Sequence, residues 1–166
     1  MRILGIDPGL AIMGWGIIDV DEKQKMSLVD YGTITTSADM EFPQRLVSIR
    51  NQLMALLDEH KPDEIVFEQL FFNRNVTTAF TVGAARGIAV CTCAEYKGDS
   101  LYEYTPMQIK LAVVGYGKAE KHQVQQMVKL ILQLDEVPKP DDAADAVAAA
   151  IAHAGAGRAR FQFRMN

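Results

Sequence analysis

The sequence predicts a mixed α/β fold: three antiparallel strands, then two strands parallel to the first, with helices on the faces of the sheet. Three observations predict it. Residues 2–35 hold three apolar or alternating runs separated by short turns. From residue 43 onward, helix-like and strand-like periods alternate. Two short runs of buried-strand character, Arg2–Asp7 and Asp63–Glu68, each end on a carboxylate. The chain has 166 residues, 49% of them hydrophobic, which is enough to bury a core without staples.

The elements follow in order. The first strand is expected at 2–7, closed by the turn-forming pair Pro8-Gly9. The second spans 12–20 and the third lies within 25–35. Leu46, Ile49, Leu53, Leu56 and Leu57 recur at helical spacing and predict a helix over 43–59, with Pro62 just past its end. The strand at 63–68 comes next. A helix over 76–95 is rich in small residues, among them Gly83, Ala85, Gly87 and Ala89. Such residues let another backbone approach, either the sheet or a second subunit. A fifth strand is expected at 100–104. Thr105-Pro106 reads as a helix cap and first residue, opening a helix to about 113 that Gly115-Tyr116-Gly117 breaks. Helices over 119–133 and 142–154 complete the series. Residues 1–155 read as one domain and 156–166 as a basic, flexible tail.

Right-handed crossover connections place the strand at 63–68 parallel to the first and beside it. Asp7 and Glu68 then share the edge where open α/β sheets place their sites. A charge at the tip of a core strand is costly unless paired, so a partner for Asp7 is required. A third acidic element, Asp141-Asp142-Ala143-Ala144-Asp145, opens the last helix. Asp142 and Asp145, three apart, lie on one helix face. Either Asp141 or Asp142 also suits the role of helix cap. Asp145 is not explained by capping. Carboxylates gathered in this way repel one another, and hard divalent cations relieve that: Mg²⁺ or Mn²⁺ rather than zinc. Two such ions about 4 Å apart serve in-line phosphodiester hydrolysis. His60, His122 and His153 read as surface or packing residues.

The formal net charge of −4 is unevenly spread. Residues 1–68 carry 12 acidic and 6 basic side chains. Residues 104–134 carry Lys110, Lys118, Lys121 and Lys129 against Glu120 alone, and the tail adds Arg158, Arg160 and Arg164. These stretches read as solvated helix faces or as a local phosphate-tracking field. Cys91 and Cys93 are too close in sequence to bridge each other and no zinc set completes them, so they read as buried reduced thiols. No apolar run reaches membrane-spanning length, and Asp7-Pro8 interrupts the first one too early for a secretory leader. The expected location is the cytoplasm, with no membrane partner.

At these residues the chain resembles the RuvC-type Holliday junction endonucleases of the ribonuclease H-like superfamily. The resemblance is carried by Gly5-Ile6-Asp7-Pro8-Gly9 with Gly14-x-Gly16, by Phe67-Glu68-Gln69, and by Gly83-x-x-Arg86-Gly87. It continues through Tyr104-Thr105-Pro106 with Lys110, Val113-Val114-Gly115-x-Gly117-x-Ala119-x-Lys121, and Asp142-Ala143-Ala144-Asp145-Ala146. It implies a ribonuclease H-like five-stranded mixed sheet and resolution of four-way DNA junctions by paired nicks. It implies that Asp7, Glu68, Asp142 and Asp145 hold two Mg²⁺ ions, with Mn²⁺ able to substitute. The register of Asp-Ala-Ala-Asp-Ala selects Asp142 over Asp141. It implies that Lys110 and Lys121 contact the scissile backbone or steady its charge, and that Phe71 or its neighbour Phe72 stacks on an unpaired base. Arg74 and Lys118 are further candidates for phosphate contact. A homodimer is implied, with the helix at 76–95 as candidate interface, as is work alongside the RuvA–RuvB branch-migration machinery.

Three other classes share part of the pattern. Actin-like ATPases and sugar kinases also open with strand–Asp–x–Gly but need a duplicated domain to enclose a nucleotide, which 166 residues do not supply. Short resolvase-like proteins of the YqgF family lack the Lys110/Lys121 pattern. A non-catalytic nucleic-acid-binding relative has no use for all four acids.

Overall fold

The computed structural model describes residues 1–70, 76–98 and 100–165, and the side chains of 76–78 are not among them. The elements run β1 (Arg2–Asp7), β2 (Ile12–Val20), β3 (Met26–Thr35), α1 (Phe42–His60), β4 (Glu64–Glu68), α2 (Val76–Lys97), β5 (Leu101–Tyr104), α3 (Pro106–Val114), α4 (Lys121–Ile131) and α5 (Asp141–Gly155). A 3₁₀ segment, Gly157–Phe163, follows. The five strands form one sheet in the order β3-β2-β1-β4-β5. β1 is antiparallel to β2 and parallel to β4, and β5 is parallel to β4. This is the mixed sheet expected from the sequence.

Strand alternation divides the core in two. Leu4, Ile6, Phe67 and Ile65 face α1 and α2, where they meet Ile49, Leu53, Leu57, Ala85 and Ala89. Ile3 and Val66 face the other way, onto α5 and the α3–α4 pair, with Val147, Ile151, Val124 and Val128. Local chemistry sets the helix ends. α1 stops where Lys61 takes a left-handed conformation (φ 50°), just before Pro62. α3 starts at a capping box: the Gln108 backbone N–H donates to Thr105 Oγ1, and the Thr105 N–H donates to Gln108 Oε1. It ends at Gly115, whose φ of 95° favours glycine.

Three expectations need correction. Neither Asp141 nor Asp142 caps α5: Pro140 holds the cap position, its carbonyl accepts from Ala143 and Ala144, and both acids sit inside the first turn. Cys93 is buried but Cys91 is exposed, because the two lie on different faces of α2. The tail expected to be flexible is docked as far as Met165. Arg160 Nε lies 3.1 Å from Glu64, Phe163 stacks on Tyr104 at 4.3 Å, and the Met165 N–H donates to the Leu101 carbonyl. The reason is a buried polar chain. His153 is fully buried between Tyr104 (Oη to Nδ1, 3.1 Å) and Glu64 (Nε2 to Oε2, 2.8 Å). A carboxylate so engaged and only 13% exposed draws a further cation. The tail thereby covers the open edge of β5.

Candidate active site

The parallel register pairs Ile6 with Phe67, so the next residues, Asp7 and Glu68, leave the sheet side by side. Both project toward α5, on the same face as Gly5 and Val66. The start of α5 is brought to them by glycine. A Cβ on Gly14, the pairing partner of Asp7, would collide with the Asp142 carbonyl oxygen, and one on Gly5 would collide with that of Ala146. The helix answers with alanine: Ala143, Ala144, Ala146, Ala148, Ala149, Ala150 and Ala152 are all buried. Smooth sheet and smooth helix let the backbones close directly, and Asp142 and Asp145 arrive beside Asp7.

The electrostatics record the convergence. Burial, and then the charges of Asp145 and Asp142, push the Asp7 carboxyl up to about 7, with Lys121 opposing. Burial, and then Asp7 and Asp145, push Glu68 up to about 8, against Lys121 and Lys110. Asp145 is also raised, first by burial, although Lys121 bonds to it. Burial disfavours the Lys121 charge, but its contacts with Asp145 and Asp141 leave its pKa above the ordinary lysine value. Lys121 Nζ lies 2.8 Å from Asp145 Oδ2 and 3.5 Å from Asp141 Oδ2.

A cleft of about 240 Å³ opens here, lined by Glu68, Lys110, Lys121 and Asp145 over a floor of Pro106, Ile109, Val124 and Ala148. Lys110 comes from α3 and Lys121 from the first residue of α4, so the helix break at Gly115 sets both lysines around one opening. Lys118 is exposed on the connecting loop. Phe71, Phe72 and Arg74 lie outside the described residues. A larger hollow of about 700 Å³ lies at the opposite end of the sheet, around Arg2, Asp19 and His60. It holds none of the residues singled out from the sequence as metal ligands or DNA contacts. The sequence reading did not anticipate that Asp141 faces Lys121 and accepts from Gln125 Nε2 (2.9 Å). Nor did it anticipate that Arg86 pairs with Glu103 at 2.6 Å. No sequence signal marks either contact, because each joins separate elements.

Among the described residues, no group of three or more His, Cys, Asp or Glu side chains stands arranged to hold a metal ion. The donor set nevertheless suits a hard divalent cation. It is all oxygen and half-buried, and burial, then the neighbouring carboxylates, raise the carboxyls of Asp7 and Glu68, a cost that a cation relieves.

The whole of this frame falls within one family. Residues 3–153 match the family model described as crossover junction endodeoxyribonuclease RuvC. The chain belongs to the RuvC family. It is 52% identical to the crossover junction endodeoxyribonuclease RuvC of Alkaliphilus metalliredigens, over 100% of both chains. It is 56% identical to that of Brevibacillus brevis, over 93% of this chain and 92% of the relative. Among solved structures it superposes on T. thermophilus RuvC in complex with Holliday junction substrate with a TM-score of 0.89. That match has 31% identity and covers 99% of this chain and 100% of the other.

Proposed function

We propose that this protein resolves Holliday junctions by nicking two strands symmetrically, with divalent metal ions held by Asp7, Glu68, Asp142 and Asp145. The observation that carries the metal reading is the raised pKa of Asp7 and Glu68, caused by burial and by neighbouring carboxylates at one cleft. The activity on junctions is that of a crossover junction endodeoxyribonuclease of the RuvC family.

Two Mg²⁺ ions, for which Mn²⁺ can stand in, would supply water activation and neutralise charge on the scissile phosphate. The chain's own residues do the rest. Asp7 and Glu68, fixed on strand ends, set the position of the site relative to the sheet. Asp142 and Asp145 close it from the helix. Lys110 and Lys121 flank the opening, where their ammonium groups meet the phosphodiester and stabilise negative charge as it develops. The further DNA contacts of this reading are Phe71 or Phe72, together with Arg74 and Lys118.

Paired nicks require two such sites. The outer face of α2 fits a homodimer contact. Phe80 is 76% exposed there, and Gly83 and Gly87 have nothing within 4 Å of a would-be Cβ. The RuvA–RuvB machinery is the further partner that family membership implies, and the cytoplasm is the expected place of work. Among the described residues, no helix is long and apolar enough to cross a membrane.

The test compares a synthetic mobile four-way junction with linear duplex, with Mg²⁺ and with chelator, for the wild type and Asp7→Asn. Symmetric nicks on the junction alone, lost with chelator and in Asp7→Asn although junction binding persists, are expected. Equal cleavage by the variant would remove Asp7 from the metal set, and cleavage of RNA alone would refute the junction reading.

A further inference from the structure

We propose that Asp141 is a positioning residue for Lys121, holding its ammonium at the mouth of the cleft when Asp145 turns to a metal ion. The inference rests on the reading of Asp145 as a metal ligand and goes beyond it.

Lys121 is the first residue of α4. A cation there opposes the helix dipole, and the side chain is 49% exposed, so neither the helix nor burial keeps it in place. Its carboxylate partners do. Asp145 Oδ2 lies at 2.8 Å and Asp141 Oδ2 at 3.5 Å. A divalent ion on Asp145 competes with Lys121 for that carboxylate and weakens its hold on the ammonium. A lysine released from it would have a flexible four-carbon stem and open solvent.

Asp141 is built to retain it. Its Oδ1 accepts from Gln125 Nε2 at 2.9 Å, and Gln125 lies one turn along α4 from Lys121. The two oxygens of one carboxylate therefore meet two donors from the same helix face, which fixes the carboxylate's orientation. Asp141 is 64% exposed. Asp142 and Asp145 act on Asp7, and Asp141 does not figure among the charges that do. It acts instead on Asp145, whose carboxyl burial raises first and Asp141 raises further, against the pull of Lys121. Its own side-chain contacts, with Lys121 and Gln125, are both to α4.

The experiment uses the full chain with Asp141→Asn, Asp141→Glu and Asp145→Asn. Three quantities are read: thermal stabilisation by Mn²⁺ without DNA, junction affinity with Ca²⁺ in place of Mg²⁺, and the single-turnover cleavage rate at saturating enzyme. Asp141→Asn is expected to keep the Mn²⁺ stabilisation and the affinity but to cut the rate about three- to fivefold, the scale of an exposed ion pair. Asp141→Glu, which keeps the charge, is expected to recover most of the rate. Loss of the Mn²⁺ stabilisation in Asp141→Asn would make Asp141 a metal ligand instead. A loss of affinity at unchanged rate, or no change in any quantity, would overturn the proposal as well. Failure of the metal reading shows separately, as no Mn²⁺ stabilisation in the wild type or its persistence in Asp145→Asn, and it would take the Asp141 proposal down with it.

Discussion

At the scale of the residue, Asp7 and Glu68 are held in a state that costs stability. Their folded pKa values, about 7 and about 8, stand above the ordinary values of 3.8 and 4.5. The folded protein therefore binds more protons than the unfolded chain between those limits, and stability falls as pH rises through that interval. The contribution is fully present below about pH 4 and is lost as pH passes 7 to 8. With chelator present, the melting temperature should fall from about pH 5.5 to about pH 8.5, and Mg²⁺ or Mn²⁺ should restore more of it at the upper end. Asp7→Asn should flatten the slope. A melting temperature that rises over this range in chelator would contradict the raised carboxyls that burial, and then mutual repulsion, produce.

At the scale of the element, the contact of α5 with the sheet decides whether four acids meet. Gly14→Ala would push a methyl group into the Asp142 carbonyl. The cost expected is that of overpacking, about 1–3 kcal/mol, with cleavage impaired more than junction binding because Asp142 is displaced from Asp7. Wild-type melting and cleavage in Gly14→Ala would show that the contact is slack. The far end of α5 is fixed by polar chemistry. His153 is driven toward its neutral form by burial, against the Glu64 carboxylate. Glu64→Ala leaves that buried ring nitrogen without a partner and removes the carboxylate from Arg160, which keeps its bond to the Gly157 carbonyl; the expected loss is about 1–3 kcal/mol. It should also free the tail, and trypsin cleavage at Arg158 and Arg160 should speed up. Unchanged proteolysis would mean that Phe163 on Tyr104 and the backbone contacts of Arg164 and Met165 with β5 hold the tail without Glu64.

At the scale of the whole molecule, a symmetric substrate calls for two cleavage centres, and the homodimer proposed above is tested on the outer face of α2, where Phe80 is exposed. Gly87→Arg, on its exposed face, should shift sedimentation from dimer to monomer and replace paired nicks by slow single ones. A dimer of undiminished stability would move the interface elsewhere. Much of this architecture was legible from periodicity: the strand ends at Asp7 and Glu68, the cap at Thr105 and the core face of α1 are all local signals. The tail was not legible, because its anchor is Glu64, distant in sequence, and a short run with three arginines reads as solvated until its acceptor is known. The cap of α5 was misread because Asp141 and Asp142 have the chemistry of capping residues, while the start of the helix is set by Pro140.

The sequence by itself determined the order of strands and helices, the oxygen-only character of the acids and the family. Each of these depends on residue type and spacing along the chain. Only the tertiary structure decided that Asp7, Glu68 and Asp145 act on one another, that Lys121 bridges Asp145 and Asp141, and that His153 is buried against Glu64. Those relations join residues on separate elements. They depend on how closely α5 can approach the sheet, a distance set by the absence of side chains at Gly5 and Gly14.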